Sequence, residues 1–225
     1  MKALSRVLAW LLLALPAWAL DLSGLSSADA AAGLKEALTQ GAGHAVDALG
    51  RSGGFLDNPK VKIPLPGPLK QAEPLLRLAG RGKDLDRLVT TMNQAAEAAV
   101  PEARSLLLKA VKDMTVQDAK DVLAGGDDAL TRFFRGKTEA RLTELLLPLV
   151  KKQTDRLAVS AQYNQLAAKA AGAGLVKGAD TQIEAHVTRE ALDGLYLMVA
   201  EEERRIRRHP MEAAGALARK AFGAL

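Results

Sequence analysis

The stretch TREALDGLYLMVAEEERRIRRH, from Thr188 to His209, predicts a long amphipathic helix. Thr188 is suited to cap its N-terminus, and Pro210 is suited to end it. Four apolar residues have the i, i+3, i+4, i+7 spacing that places side chains on one helix face: Leu192, Leu195, Tyr196 and Val199. We therefore expect this helix to be the central packing element of an all-α domain.

The second half of this helix is charged, and its acids and bases are spaced for pairing along the helix. Glu201 and Arg205 stand at i,i+4, as do Glu203 and Arg207, and this spacing favours ion pairs. Gly194 lies in the helix interior, where glycine costs about 1 kcal/mol relative to alanine. A glycine at this position indicates a close contact with another helix.

The first residues, MKALSRVLAWLLLALPAWA, have the pattern of a secretory signal peptide. Lys2 and Arg6 form a positive region, residues 7–15 are apolar, and AWA ends the stretch as a small-residue cleavage site. The apolar run is too short to cross a bilayer, so we expect cleavage after Ala19 rather than an uncleaved anchor. The mature chain, residues 20–225, is predicted to be a single helical domain in the periplasm without an integral membrane span; secretion is the alternative.

Composition narrows the chemistry and the partners of the exported chain. Removing residues 1–19 leaves 29 of the 31 basic residues against 26 acidic residues. The resulting positive net charge is too small to indicate a nucleic-acid partner. The chain contains no cysteine, which excludes disulfides, thiol chemistry, cysteine metal sites and a lipid on an N-terminal cysteine.

Residues 55–68, FLDNPKVKIPLPGP, form a stretch that is plainly not helical. Their prolines forbid a helix interior, and Val61, Ile63 and Leu65 alternate with lysine or proline. The pattern predicts an extended segment or a short edge strand. We interpret it as a connector that pins the first helix to the rest of the chain; the alternative is an extended arm offered to a partner.

Helices separated by glycine and proline breaks are predicted on both sides of this stretch. The first starts at Ser26 or Ser27 and runs to about Leu49. A long helical pattern from residue 83 to 114 contains Pro101, which should bend it or divide it in two.

The later part of the chain adds shorter helices. Thr115 with Asp118 resembles an N-terminal cap, Asp127 is expected to cap the next helix, and a separate helix is expected from Thr138. An alanine-rich helix is predicted at residues 211–222. Together these patterns predict a compact array of about eight to ten helices with short connections.

Six stretches together resemble a bacterial family catalogued as domain of unknown function 4197. They are GLKEAL, FLDNPKVKIPLP, MNQAAEAAVPEA, MTVQDAKDVLAGGDDALTRFFR, QYNQ and ALDGLYLMVAEEERRIRRHP. The resemblance spans roughly residues 21–210, which is nearly the whole mature chain. It implies an exported helical protein of Gram-negative bacteria, and it implies no activity and no catalytic residue.

Three polar residues near the predicted bend at Pro101 are candidate ligand-binding residues: Asn93, Glu97 and Arg104. Glu97 follows Asn93 by one helical turn. Because a bent helix leaves backbone carbonyl groups without partners, these side chains are suited to a buried polar network that holds the bend. The functional alternative is ligand binding, or an acid–base role for Glu97.

Two further groups are candidate contact sites. Tyr163, Asn164 and Asp193 either bridge helices or line a ligand pocket. The C-terminal part combines basic residues with an apolar anchor, which indicates either contact with an anionic membrane surface or a solvated helix face. The candidate membrane-contact residues are Arg204, Arg208, Arg219, Lys220 and Phe222.

No sequence motif for metal binding, cofactor binding or a known catalytic mechanism is present, and we predict no metal and no cofactor. His44, His186 and His209 lack the HExxH or HxxxH spacing of zinc ligands, so we interpret them as surface or cap residues. There is also no G-x-S-x-G motif that would carry a hydrolase serine.

These observations predict a non-enzymatic binding or scaffolding protein of the cell envelope, with an envelope protein or a lipid as partner. One alternative is a periplasmic carrier of an apolar or amphipathic molecule, which would need an apolar cavity above about 300 Å³. Another is an enzyme of unrecognised type that uses Glu97 or Asp193 and would need that carboxylate in a cleft.

Overall fold

The computed structural model describes residues 27–172 and 183–209. Within these ranges the chain is helical apart from short connections and contains no β-strand. The all-α prediction is therefore confirmed, and the edge-strand alternative for residues 55–68 is wrong. The predicted signal peptide and the predicted helix at residues 211–222 lie outside the described residues.

Eight α-helices are described, in chain order: α1 (Ser27–Gly50), α2 (Gly67–Leu76), α3 (Gly82–Ala99), α4 (Ala103–Asp113), α5 (Val116–Ala124), α6 (Ala129–Arg156), α7 (Val159–Gly172) and α8 (Ile183–Arg208). A π-helical turn, Arg77–Arg81, joins α2 to α3, and a 3-10 turn, Val100–Glu102, joins α3 to α4. Residues 67–113 therefore lie in one helical stretch that is kinked at Gly80. The described residues form six separate runs, fewer than the eight to ten helices predicted.

Proline, glycine and capping side chains place several of the breaks where the sequence predicts them. Pro101 lies in the 3-10 turn between α3 and α4. The turn before α3 contains Gly80 at φ +76°, a left-handed conformation that glycine adopts without a steric penalty. Thr115 and Asp118 form a capping box, in which each side chain accepts the backbone N–H of the other residue, at 3.0 and 2.8 Å.

The predicted break between a helix capped by Asp127 and a helix starting at Thr138 is wrong, because α6 runs through both. Gly136 and Pro148 lie inside this 28-residue helix. Its buried residues continue across Gly136 from Phe134 to Thr138 and beyond at helical spacing. Packing of this stripe against α8, α3 and α4 offsets the low helix propensity of glycine.

The helix predicted from Thr188 to His209 is α8, and its predicted central position is confirmed. Helix α8 packs most extensively against α6 and also against α1, and the predicted apolar stripe is buried. Thr188 does not cap the helix, because α8 already includes Ile183 and Thr188 lies buried in its interior. Of the two ion pairs predicted along this helix, the one between Glu203 and Arg207 forms, with 3.1 Å between Glu203 Oε1 and Arg207 Nη2.

The predicted pair between Glu201 and Arg205 is wrong. Glu201 instead binds Lys60, which reaches across from the chain between α1 and α2, with 2.6 Å between the Lys60 Nζ and Glu201 Oε1 atoms. Arg205 pairs with Glu202 at 2.7 Å. Glu201 thus binds the chain between α1 and α2 instead of forming an ion pair within α8.

We name the non-helical residues 51–66 the connector. Residues 51–61 are mostly turns, and residues 62–66 have no regular secondary structure. Gly67 and Pro68, the last two residues of the predicted extended stretch, lie in the first turn of α2. The connector is not solvent-exposed throughout: Phe55, Val61, Ile63 and Leu65 are buried in the core. This burial supports its interpretation as a segment that pins α1 to the other helices.

Gly194 marks a close contact, but its partner is the connector and not a helix. A Cβ atom at Gly194 would lie 2.9 Å from Phe55 Cε1 and 3.2 Å from Val61 Cβ. We expect Gly194→Ala to lower the free energy of unfolding by about 1–2 kcal/mol, because the cost of overpacking exceeds the gain in helix propensity. Urea denaturation followed by circular dichroism measures the change.

The matched control is Gly136→Ala in α6, where no atom lies within 4 Å of the added Cβ. Without a steric conflict, only the propensity gain remains, so this variant should be more stable by up to about 1 kcal/mol. Equal stabilisation by both substitutions would show that the connector does not press against α8 at Gly194.

Candidate functional site

The connector is held by polar side chains of α3, and Asn93 is the first of them. Asn93 is fully buried. Its Oδ1 atom accepts the Ile63 N–H at 2.8 Å, and its Nδ2 donates to the Ile63 carbonyl at 3.0 Å and to the Val89 carbonyl at 2.8 Å. The amide thereby satisfies both backbone groups of Ile63, as a neighbouring strand would.

Glu97, one turn further along α3, holds the start of the connector. Its Oε1 atom accepts the backbone N–H groups of Phe55 and Leu56, both at 3.0 Å. Glu97 is only 6% exposed. Hydrogen bonds from N–H groups to a carboxylate are stronger than those to a neutral acceptor. Glu97 therefore takes the place of the backbone partners that these two amides lack.

His186 of α8 holds the connector from the opposite side. Its Nε2 donates to the Pro64 carbonyl at 3.0 Å, and its Nδ1 accepts from Arg189 Nη2 at 3.1 Å. His186 is buried, so the prediction of a surface or cap histidine is wrong for this residue, whereas His44 and His209 are exposed. The sequence does not reveal this contact, because His186 and Pro64 are 122 residues apart.

The predicted polar network therefore exists, but it does not hold the bend at Pro101. Asn93 and Glu97 bind the connector, and Arg104 lies apart from them. The Arg104 guanidinium pairs with Asp47 and donates to the Gly43 carbonyl at 3.4 Å, which ties α4 to α1. At Pro101 itself the chain forms the 3-10 turn that joins α3 to α4.

Tyr163 and Asn164, the candidate pair on α7, face different environments. Tyr163 is buried, and its hydroxyl has no hydrogen-bond partner in the structure. Asn164 is exposed. Among the described residues, neither side chain forms a hydrogen bond with Asn93, Glu97 or Asp193.

Asp193 lies on the surface rather than in a cleft. It accepts from Arg135 Nη2 at 2.7 Å, and about half of its side chain is exposed. The same guanidinium lies 4.7 Å from the centre of the Tyr196 ring, and the Tyr196 hydroxyl is 2.9 Å from Thr138 Oγ1. Burial raises the pKa of Tyr196 to about 12, so this hydroxyl stays neutral near neutral pH.

Glu203 is a buried carboxylate whose main role the sequence does not reveal. It accepts the backbone N–H groups of Leu130 at 3.1 Å and Thr131 at 3.2 Å, which are the first free N–H groups of α6. Burial raises the pKa of Glu203 above its usual 4.5. The preceding cap residue, Asp128, makes no cap hydrogen bond of its own and pairs with Arg132 instead. The prediction that Asp127 caps this helix is wrong, because the residue at the cap position is Asp128.

The candidate membrane-contact residues are only partly within the described chain. Arg208 is exposed and Arg204 is half-buried at the end of α8, whereas Arg219, Lys220 and Phe222 lie outside the described residues. No helix in residues 27–172 or 183–209 is long and apolar enough to cross a membrane. No group of three or more potential metal ligands occurs in these ranges either.

A surface groove of about 560 Å³ lies where the connector meets α2 and α3. Its apolar lining includes Leu56, Ile63 and Leu65 of the connector and Val89 of α3. Charged side chains of both signs stand around it: Lys62, Lys70, Glu73, Arg77 and Asp86. Of these residues only Lys62 lies in a stretch that is distinctive in the sequence; the others come from α2, the π-helical turn and α3 and carry no common sequence signal.

Part of this charge is already paired. Arg77 binds Glu73 at 2.9 Å and Asp86 at 2.7 Å. The hydrogen bond from Arg77 is the main cause that lowers the pKa of Asp86 below its usual range, and the bond to Asp86 is the main cause that raises the pKa of Arg77. Lys62 and Lys70, by contrast, have no carboxylate within 4 Å among the described residues.

Comparison with known protein families gives a match over most of the sequence. A family model described as a protein of unknown function (DUF4197) matches residues 24–223, which is most of the chain. The protein belongs to this family. No curated protein and no solved structure matches it.

Membership of the DUF4197 family confirms the resemblance seen in the sequence and adds no activity. The matched range contains the connector, the residues of α3 and α8 that hold it, and the groove beside it. Function is therefore inferred from the arrangement of these side chains.

Proposed function

We propose that this member of the DUF4197 family is an exported protein of the cell envelope that acts by binding a partner in the groove between the connector, α2 and α3. The observation that carries this proposal is that a buried set of side chains fixes a non-helical segment as one wall of an open groove. The signal-peptide pattern of residues 1–19 supports export, and the groove has the volume of a ligand site.

The environment of the carboxylates favours binding over catalysis. A general acid or base must reach its substrate, but Glu97 is buried against two connector amides and Glu203 caps α6. Asp193 is paired with Arg135 on the exposed surface. Each of these acids has a structural partner that accounts for its position.

An enclosed carrier site receives less support. The space between α1, α6 and α8 in the core measures only about 10 Å³, far below the volume of an acyl chain. The groove of about 560 Å³ is open to solvent and bordered by charged residues. These features suit a partner that keeps polar groups in water while placing apolar groups on the groove floor.

Site-specific photo-crosslinking in the native host tests this proposal. A benzophenone side chain placed at Thr90, which lines the groove, should give a discrete adduct in the periplasmic fraction. The same group at Lys152, an exposed position on α6, should give none. In the same fraction, the intact mass should correspond to a chain that begins at Leu20.

Two results would contradict the proposal. Retention of the chain in the cytoplasm would contradict export. Equal crosslinking from Thr90 and Lys152 would contradict the groove as the binding site. A further variant, Val89→Trp, fills the groove floor and should weaken the Thr90 adduct while leaving helix content unchanged.

A further inference from the structure

We propose that the partner in the groove is an extended peptide segment that alternates apolar and acidic side chains. This inference rests on the proposed function and specifies the chemistry of the partner. It follows from three features of the groove: its unpaired lysines, its apolar floor and its fixed wall.

The charge of the groove favours an acidic partner. Lys70 on α2 and Lys62 on the connector lie on different walls, and neither has a carboxylate within 4 Å in the described chain. Lys62 affects Asp86 only as a longer-range charge. The two acids of the groove both bind Arg77, so they do not neutralise the lysines. Carboxylates supplied by a ligand would complete these pairs.

The shape of the groove favours an extended chain over an acyl chain. Its floor is apolar at Leu56 and Val89, which are both half-buried, and it is open above. Successive side chains of an extended peptide point to opposite sides, so apolar residues can cover the floor while acidic residues turn outward to the rim lysines. An acyl chain would cover the floor but leave one side of itself in water.

The wall of the groove is fixed before any partner binds. Asn93 holds both backbone groups of Ile63, and His186 holds the Pro64 carbonyl. Pro66, at the end of the connector, has the φ −56° and ψ 149° of an extended polyproline conformation. A rigid wall lowers the conformational entropy lost on binding, which suits recognition of a short segment.

The test is an NMR titration of the ¹⁵N-labelled protein with synthetic peptides. The probe is an acetylated heptapeptide amide of alternating leucine and glutamate, compared with analogues in which glutamine or lysine replaces every glutamate. We expect the glutamate peptide to shift the amides of Leu56, Lys62, Lys70 and Val89. Two exposed ion pairs should make it bind about ten-fold more tightly than the glutamine analogue.

A charge reversal supplies the specificity control. The double variant Lys62→Glu/Lys70→Glu should lose this preference and bind the lysine peptide more tightly than the glutamate peptide. The double variant Lys120→Glu/Lys152→Glu makes the same change in net charge at exposed positions on α5 and α6, and it should keep the wild-type preference.

Several outcomes would overturn the inference. These are equal affinity for the glutamate and glutamine peptides, shifts confined to other surfaces, decanoate binding the same amides more tightly than the peptide, or groove shifts that depend on protein concentration alone. The last two would assign the groove to an acyl carboxylate or to a second copy of the chain. If the Thr90 adduct forms but the peptide does not bind, the proposed function stands and only the peptide chemistry is wrong.

Discussion

Replacing Glu203 with alanine should destabilise the protein by about 3–5 kcal/mol, the range found when one partner of a buried ion pair is removed. Its carboxylate accepts two N–H groups at the start of α6 and the Thr131 hydroxyl, and it pairs with Arg207. Alanine would leave all of these donors without this acceptor. Urea denaturation monitored by circular dichroism measures the loss.

Glu202→Ala is the matched control, because Glu202 is the preceding residue and makes a more exposed pair with Arg205. Pairs of this kind contribute about 1 kcal/mol or less. Glu203→Ala should therefore lower the free energy of unfolding at least about three times as much as Glu202→Ala. Similar losses in both variants would show that Glu203 contributes only as an ordinary surface acid.

The pH dependence of stability gives a second test of Glu203. Because burial raises its pKa above 4.5 in the folded protein, the folded state binds this proton more tightly than the unfolded state. The contribution of that proton is fully present below pH 4.5 and is lost as the pH rises through the folded pKa. The stability of the wild type relative to Glu203→Gln should therefore fall over this interval; a rise would contradict the predicted direction.

Replacing Glu97 with alanine should lower the free energy of unfolding by about 3 kcal/mol. The substitution removes the acceptor of the Phe55 and Leu56 amides, and a buried donor left without a partner costs about 1–3 kcal/mol. Glu97→Gln keeps an acceptor but loses the charge, so its effect should be smaller, about 1 kcal/mol. Denaturant unfolding ranks the three proteins.

Hydrogen exchange distinguishes detachment of the connector from general destabilisation. In Glu97→Ala the amides of Phe55 and Leu56 should lose more protection than amides in the centre of α8. Gln94→Ala, on the exposed side of the same helix, should change stability by no more than about 0.5 kcal/mol. Uniform loss of protection in Glu97→Ala would mean that the connector is not a locally anchored segment.

The predictions from sequence that are confirmed rest on interactions between residues close in the chain. The capping box at Thr115, the turn at Pro101 and the apolar stripe of α8 depend on spacings of three to seven residues. The prolines of the connector likewise predict its lack of helix. These features need only the geometry of one helix or one turn.

The predictions that are wrong required knowledge of what packs against a residue. A local rule places a break near Gly136, but the buried stripe of α6 continues through that position. A local rule also pairs Glu201 with Arg205, but Lys60 of the connector reaches Glu201. In both cases a contact with a distant segment overrides a preference worth about 1 kcal/mol or less.

The sequence by itself determined the helical class, the family and the positions of most breaks, because periodicity, prolines and caps act over a few residues. Only the tertiary structure decided the roles of Asn93, Glu97 and Glu203. Apart from the bond between Asn93 and Val89 within α3, their backbone partners lie 30 to 73 residues away in the chain. A buried amide or carboxylate must meet a hydrogen-bond partner, but burial does not specify which one. Folding of the connector onto α3 and α8 makes that choice and creates the groove beside it.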